Sequence, residues 1–458
     1  MPKKAPRRKR TAAVLSTGLA VACAAGLTAC ASGSAGAGGP GSYKGQKLTV
    51  ELPPITAHAA AYKQYYADLA AAFRQKTGAT LSFELNETTQ QSEVQAIQQM
   101  AVTHQGPDLL LSAGGSNAMA YDSHAFQVLT PADWNEIGGK GQFYPNQLSM
   151  SGPSPSQDIA VPMYNVPDAM VYNTALFKAA GIKSPPTTWS QYVQDAEKIN
   201  DPAKGVYGTA MDPADGEDPW KTLWFMVTEE GGSYISPSLK KATLDSAAVR
   251  NAVAFWFDWY TKFHIVNPDS LTWQAPQMEA AFAAGDVGEE VVQKASDVPL
   301  YKDGKVGGDF AFAPMPKIPY GMTSLPPGGS APGTFLSADD LLIATYAPKP
   351  LALQFLKILL SQKYQLLQYK LTGQLPVTTA AGAVAAREDP AQNRVFVANL
   401  GSQEPTAFVS AWGTLEGALA TVATQSASHI ATSRSLSSAD IGNELKVANN
   451  AVQQQLGG

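Results

Sequence analysis

The densest concentration of reactive side chains lies at Asp212-Pro-Ala-Asp215-Gly-Glu217-Asp218-Pro219-Trp220, with Trp224 and Phe225 close behind. Asp215-Gly216 invites a calcium-loop reading. The acids do not alternate as in an EF-hand, however, and no bidentate glutamate closes the loop, so no metal is expected. Trp220 and Trp224, four residues apart, share one helical face; they are either core or flat apolar platforms for a ligand. Asp218 precedes them as a candidate acceptor. Glu289 and Glu290 are neighbours in a strand-like run, where side chains alternate, so at most one faces any given cleft. The five histidines (His58, His104, His124, His264 and His429) show no H-E-x-x-H spacing. Neither a G-x-S-x-G elbow nor a Walker-type loop is present, so neither a catalytic constellation nor a cofactor is expected.

The elements that must position these groups are legible from periodicity. Lys47 to Leu52 alternates like a strand. Tyr62, Tyr65, Tyr66, Leu69 and Phe73 recur at helical spacing, with Arg74 and Lys76 in the last turn and Gly78 beyond. Thr80 to Leu85, a helix through Val94, Ile97 and Ala101, and a strand from Asp108 to Leu111 continue the series. Strand, helix, strand, helix, strand implies a parallel sheet, whose ligand side is outside the carboxyl ends of its strands. Those ends are Pro53 to His58 and Ser112 to Asn117, where Ser116 and Asn117 are candidate hydroxyl partners, or simply turn residues.

The run Asp158 to Asn200 reads as an entry into a second α/β lobe. Ile159 to Pro162 and Ala169 to Tyr172 are strand candidates, Asn173 can cap a short helix stopped at Gly181, and Thr188 with Gln191 gives capping-box spacing. Trp189, Tyr192, Val193, Ala196 and Ile199 put an apolar face on the helix that follows. Later, Val249 to Tyr260 and Leu351 to Tyr369 are strongly apolar helices, and Pro326 to Gly333 is a Gly/Pro-rich loop.

The first 29 residues read as an address. Six basic residues precede a short apolar stretch, Ala12 to Leu27, ending in Leu27-Thr28-Ala29-Cys30. That ending resembles a bacterial lipobox, which implies a lipid on Cys30 and a flexible tether over residues 30–45. The only other cysteine, Cys23, lies within the signal, so no internal disulfide is available to the remainder. Without the six basic residues the chain has 27 basic against 38 acidic, a net of −11. That balance argues against nucleic acid as a partner.

Several motifs together resemble the extracellular solute-binding proteins of ABC importers, of the maltose-binding-protein-like sugar type. They are Gly106-Pro107-Asp108, the run "YN…LF…AGI…PPTTW" from Tyr172 to Trp189, Phe282 with Gly285, and Thr372-Gly-Gln-Leu-Pro-Val377. The resemblance implies a two-lobed periplasmic-binding-protein-like α/β fold, each lobe a mostly parallel sheet flanked by helices, joined by a three-crossing hinge. Residues 46–170 and 309–347 would form the first lobe, and residues 171–308 and 348–458 the second, with the third crossing at Pro348 to Pro350. It further implies a monomeric receptor for a sugar or short oligosaccharide, delivering it to permease subunits. A pyranose packs its apolar face on an indole and turns its hydroxyl rim to carboxylates and amides. On that basis Ser116, Asn117, Tyr164, Asn165, Asp218, Trp220, Trp224, Glu289, Glu290 and Gly329 are the candidate ligand residues. The chain departs from the family at Glu289-Glu290 and Lys294-Ala295, where relatives commonly place a tryptophan, which puts a simple maltodextrin specificity in doubt. A lipoprotein acting on glycosides, or a cell-surface sensor of the same fold, are the alternatives.

Overall fold

The computed structural model describes residues 42–52, 59–85, 90–388 and 390–457. The expected signal segment, Cys30 and the expected strand end at Pro53 to His58 lie outside the described residues. Eleven strands occur among those described: β1 (Lys47–Leu52), β2 (Thr80–Leu85), β3 (Leu109–Ala113), β4 (Ala160–Asn165), β5 (Ala169–Asn173), β6 (Tyr207–Thr209), β7 (Val287–Gln293), β8 (Phe310–Ala313), β9 (Thr334–Phe335), β10 (Ala338–Ile343) and β11 (Gln403–Glu404). They form a five-stranded sheet of order β2-β1-β3-β10-β4, a four-stranded sheet of order β6-β7-β5-β8, and a small β11-β9 ribbon. Each larger sheet is flanked by helices, giving a two-lobed α/β molecule.

The first sheet begins as expected. Helix Ala59–Thr77 buries Tyr62, Tyr65, Tyr66, Leu69 and Phe73 on one face and stops at Gly78, whose φ of 78° favours glycine. β1 runs parallel to β2 and β3. The sheets are nevertheless mixed rather than mostly parallel. β10 lies antiparallel to both β3 and β4, and β5 antiparallel to both β7 and β8. The cause is topological: β5 and β10 are each reached directly from the other lobe, so they enter their sheets from the opposite side.

The entry into the second lobe is built as its sequence suggests. Asn173 accepts from the backbone N–H groups of Ala175 and Leu176, both at 3.1 Å. Thr188 accepts from the Gln191 N–H at 3.1 Å. The return bond of the capping box slips by one residue: Gln191 Oε1 takes the N–H of Thr187, not Thr188, at 2.9 Å. Helix Trp189–Ile199 buries Trp189, Tyr192, Val193, Ala196 and Ile199. The indole of Trp189 donates to Glu229 Oε2 at 2.7 Å, so it is scaffold.

The expected lobe boundaries shift in three places. The first crossing is residues 166–168, since β5 already belongs to the second sheet. Residues 310–313 also belong there, as β8, and the second crossing is the stretch 314–337. The third crossing is at residues 373–378, not at Pro348 to Pro350. Helices Lys349–Leu359 and Gln362–Thr372 pack on the first lobe: Phe355 meets Phe73 edge-on with centroids 6.3 Å apart, and Tyr65 Oη donates to Gln368 Oε1 at 3.1 Å. After the crossing, Phe396 of helix Pro390–Leu400 packs against Phe312 in the second sheet. The crossings are laced together. Asn165 and Leu375 exchange backbone bonds at 2.9 and 3.2 Å, and the Val166 N–H donates to Ser337 O at 3.1 Å. Terminal helices Trp412–Ser433 and Ser438–Gly457 share the second lobe's core with helices Pro219–Glu229 and Ala247–Thr261. No helix among the described residues is long and apolar enough to cross a membrane.

Candidate functional site

A cavity of about 390 Å³ opens between the lobes, beyond the carboxyl end of β3. The first lobe lines it with Glu93, Gly115, Ser116 and Asp339, and the crossings add Val166, Asp168, Phe335 and Ser337. The second lobe contributes Asp215, Glu217, Asp218, Lys221, Lys294 and Glu416.

Each of these groups is fixed by its element. Glu93, on helix Gln90–Thr103, accepts at Oε1 from Ser112 Oγ at 2.7 Å and from the Ala113 N–H at 3.1 Å. Asp168 is clamped in the first crossing, where its N–H donates to Thr334 Oγ1 at 3.2 Å and its carbonyl accepts from Asn399 Nδ2 at 2.7 Å. Asp215 organises the acidic loop: Oδ1 accepts from the N–H groups of Glu217 and Asp218 at 2.8 and 2.9 Å, and Oδ2 from that of Ala275 at 3.2 Å. Pro219 then opens helix Pro219–Glu229 with its fixed φ. One turn along, Lys221 Nζ bonds Asp218 and lies 3.2 Å from Glu217 Oε1. Lys294 Nζ, from the end of β7, lies 3.9 Å from Asp218 Oδ2.

The electrostatics follow from burial against this pairing. Burial pushes Glu93 up to about 8, Asp168 to about 7 and Asp339 to about 6. Burial also acts to raise Asp218, but the ammonium groups of Lys221 and Lys294 outweigh it and hold the carboxyl below its ordinary value. Asp218 raises Lys294 in turn. Lys221 likewise stays charged, since Asp218 and Glu217 together overcome its desolvation. The cavity therefore offers the ionised Asp218 beside two ammonium groups, and in Glu93, Asp168 and Asp339 carboxyls able to donate or accept near neutral pH.

Of the residues singled out from sequence, Ser116 and Asp218 line this cavity. The others lie elsewhere. Asn117 is buried behind it, its Nδ2 donating to Met150 O at 3.0 Å and to Asp340. Tyr164 is a core residue of the first lobe whose hydroxyl pairs with Asp339. Asn165 serves the hinge, donating from Nδ2 to Pro376 O at 3.0 Å. Trp220 is core, not a platform: its ring lies 4.8 Å from that of Phe335 and 5.4 Å from that of Trp412, centroid to centroid. Trp224 packs on Phe335 and Phe225 and edges a separate groove with Thr228, Ser330 and Thr406. Both were placed where apolar bulk at helical spacing goes by default.

Glu289 and Glu290 do alternate, yet neither reaches the cavity wall. Both are fully buried in β7, without a hydrogen-bond partner among the described residues. Burial lifts both carboxyls well above their ordinary range, with Asp195 adding to Glu289, and Glu279, Asp212 and Asp297 adding to Glu290. Gly329 is away from the cavity as well. A Cβ there would sit 2.2 Å from the carbonyl oxygen of Glu229, so the position is steric.

Sequence reasoning missed Glu93, Asp168, Lys221, Lys294 and Asp339. A signal existed for one of them, since Asp339 and Asp340 are adjacent acids in a strand that is otherwise apolar, Ala338–Ile343. Trp412 is buried in the second lobe's core and also reaches the first lobe: a Cβ on Gly115 would lie 2.7 Å from Trp412 Cδ1, and Trp412 Nε1 donates to Glu416 Oε1 at 2.8 Å.

Residues 56–366 match the model of the bacterial extracellular solute-binding protein family. The diacetylchitobiose binding protein DasA of Streptomyces coelicolor is 25% identical over 423 residues, covering 90% of this chain and 91% of its own. Among solved structures, maltose-bound MalE3 of T. maritima superposes with a TM-score of 0.71 at 19% identity, covering 88% of this chain and 98% of its own. A cyclo/maltodextrin-binding protein complexed with maltotetraose gives 0.69 at 16% identity, with 89% and 96% covered. A family match over more than half the chain, on a two-lobed hinged fold, is decisive: this chain belongs to the bacterial extracellular solute-binding proteins.

Proposed function

We propose that the protein is the lipid-anchored substrate-binding component of an ABC importer, capturing a sugar or short oligosaccharide between its lobes and delivering it to a membrane permease. The observation that carries this reading is the cavity itself, whose polar groups come from both lobes and from the hinge: Ser116 and Asp339, Asp218 and Lys221, Asp168. A solute bridging them stabilises the closed form by its differential affinity for closed over open. The carbohydrate class is supported by the printed ligands of the relatives, diacetylchitobiose, maltose and maltotetraose. Carboxyl and ammonium groups at one wall suit a rim of hydroxyls, each of which donates one hydrogen bond and accepts others. Micromolar capture corresponds to about −8 kcal/mol, which a few desolvated, charge-assisted bonds can supply.

Anchoring rests on Cys30 following Leu27-Thr28-Ala29. The test of the central reading is isothermal titration of the protein lacking residues 1–29 against mono- and oligosaccharides. Saturable binding without turnover is expected; release of cleaved sugar would replace the reading with an enzyme.

A further inference from the structure

One flank of the cleft is shut by a strap. Residues 401–411 connect helix Pro390–Leu400 to helix Trp412–Ser433 and bear on the first lobe along the way. At the hinge end Gln403 is buried, its Nε2 donating to Pro145 O at 3.0 Å and to Gln147 Oε1 at 3.2 Å. Its carbonyl accepts from Asn146 Nδ2 at 3.1 Å, and β11 ties the same stretch to β9 in the second crossing. Further along, Phe408 meets Tyr121 edge-on with centroids 6.4 Å apart, and Ser410 Oγ donates to Asp122. Tyr121 itself packs on the first lobe's core.

Trp412 completes the closure inside. A Cβ on Gly115 would lie 2.7 Å from Trp412 Cδ1, 3.2 Å from its Nε1 and 3.3 Å from Glu416 Oε1, so only a residue without a side chain fits there. Gly115 and Glu416 line the cavity, whereas Trp412 lines the separate groove of about 320 Å³. Phe335 and Trp224 repeat the arrangement: Phe335 lines the cavity, Trp224 lines the groove, and their rings are in contact at 5.6 Å between centroids. The two spaces therefore lie back to back, divided by packed rings. Elsewhere on the cavity's margin the wall is open, because Glu217 is exposed to solvent.

We propose that the strap and Trp412 form an end stop: a linear saccharide sits with one terminus against Gly115, Glu416 and Phe335 and projects its other end to solvent. The inference rests on the sugar-binding reading and adds an exclusion to it. Cyclic oligosaccharides have no terminus to offer, and a chain substituted at the enclosed terminus has no space to extend into while the lobes are closed.

Two linear series test this by calorimetry on the full chain: maltose to maltotetraose, and N,N′-diacetylchitobiose to its tetramer. Each is also supplied with a nitrophenyl group at the reducing end or a benzylidene group at the non-reducing end. In the series that binds, one substituted form should bind at least about tenfold more weakly than the plain chain, and the other within about threefold of it. Where that series is the maltose one, α-cyclodextrin should also fall at least about tenfold below maltotetraose. Trp412→Leu keeps apolar bulk in the second lobe's core but takes the ring out of the partition, and should restore most of the rejected form's affinity. Trp412→Phe, a gentler change with partial recovery expected, takes its place if that variant does not fold. Tolerance of both substituents, or binding of α-cyclodextrin on a par with maltotetraose, overturns the inference and leaves the sugar reading standing. Rejection of both substituents overturns it in favour of a cavity enclosed at both ends. Rejection undiminished in the Trp412 variants overturns it by placing the stop elsewhere. No binding in either series removes the inference together with the sugar reading beneath it.

Discussion

Replacing Glu93 with glutamine separates the electrostatics of the cleft from its shape. The side chain is 4% exposed, and its Oε1 accepts from Ser112 and Ala113. Glutamine keeps that acceptor and nearly the same volume but has no proton to lose. Burial lifts the native carboxyl to about 8 from an ordinary 4.5. Between those values the folded protein holds a proton that the unfolded chain has released. The stabilisation linked to that proton is therefore complete below about pH 4.5, declines as the pH rises, and is gone above about 8. One proton of difference is worth about 1.4 kcal/mol per pH unit, or about 5 kcal/mol across the window. Asp168 and Asp339 titrate in both proteins and cancel in the comparison. Wild type and Glu93→Gln should match within about 1 kcal/mol at pH 5, and the variant should be more stable by several kcal/mol at pH 9. Urea or thermal unfolding without sugar at pH 5, 7 and 9 reads this directly. Parallel pH profiles would refute the reasoning, because they would mean Glu93 ionises in the folded state as easily as in water.

Gly115→Ala should weaken sugar binding at least about tenfold with little change in melting temperature. Its methyl group would lie 2.7 Å from Trp412 Cδ1 of the other lobe and so oppose the approach of the lobes that ligand binding requires; unchanged affinity would show that binding does not need these residues together. Trp224→Ala should cost about 3–5 kcal/mol of stability and leave sugar affinity nearly intact well below the melting temperature, the reverse of what a stacking platform would do. Cys30→Ser should move the protein from the membrane to the soluble fraction, and persistence at the membrane would remove the lipid anchor from the proposal.

Local periodicity made the scaffold legible. The apolar face of helix Ala59–Thr77, four aromatic rings and Leu69, and the Thr188 cap of helix Trp189–Ile199 depend on neighbours close in sequence, so sequence reports them well. Lobe membership does not. Helix Lys349–Leu359 buries Leu351, Phe355 and Leu359, a stripe that would serve either sheet equally, and only the position of the chain reversal decides which. The cleft was legible least of all. Glu93, Asp168, Lys221, Lys294 and Asp339 come from five separate segments, and each alone reads as an ordinary charged residue. Trp220 and Trp224 drew the eye because aromatic pairs serve cores and sugar sites alike. Asp218 stood out because it belongs to the dense acidic run just before Trp220, and it lines the cavity beside Pro219, which opens the helix.

The central position of β10 has a consequence for how the chain folds. β3 and β4 do not pair with each other: β3 lies between β1 and β10, while β4 joins the sheet through β10, which arrives some 170 residues after β4 in the sequence. A nascent chain that has completed everything through β4 still has a first sheet in two halves, with a slot one strand wide. The helices that cover it, Lys349–Leu359 and Gln362–Thr372, come later still. The first sheet is thus completed only after all four strands of the second sheet have been made, and the second lobe's core in turn waits for helices Trp412–Ser433 and Ser438–Gly457. Such long-range pairing favours slow folding with an exposed intermediate. It also keeps the chain extensible until residue 372 has emerged, a useful property for a polypeptide whose first segment reads as an export address.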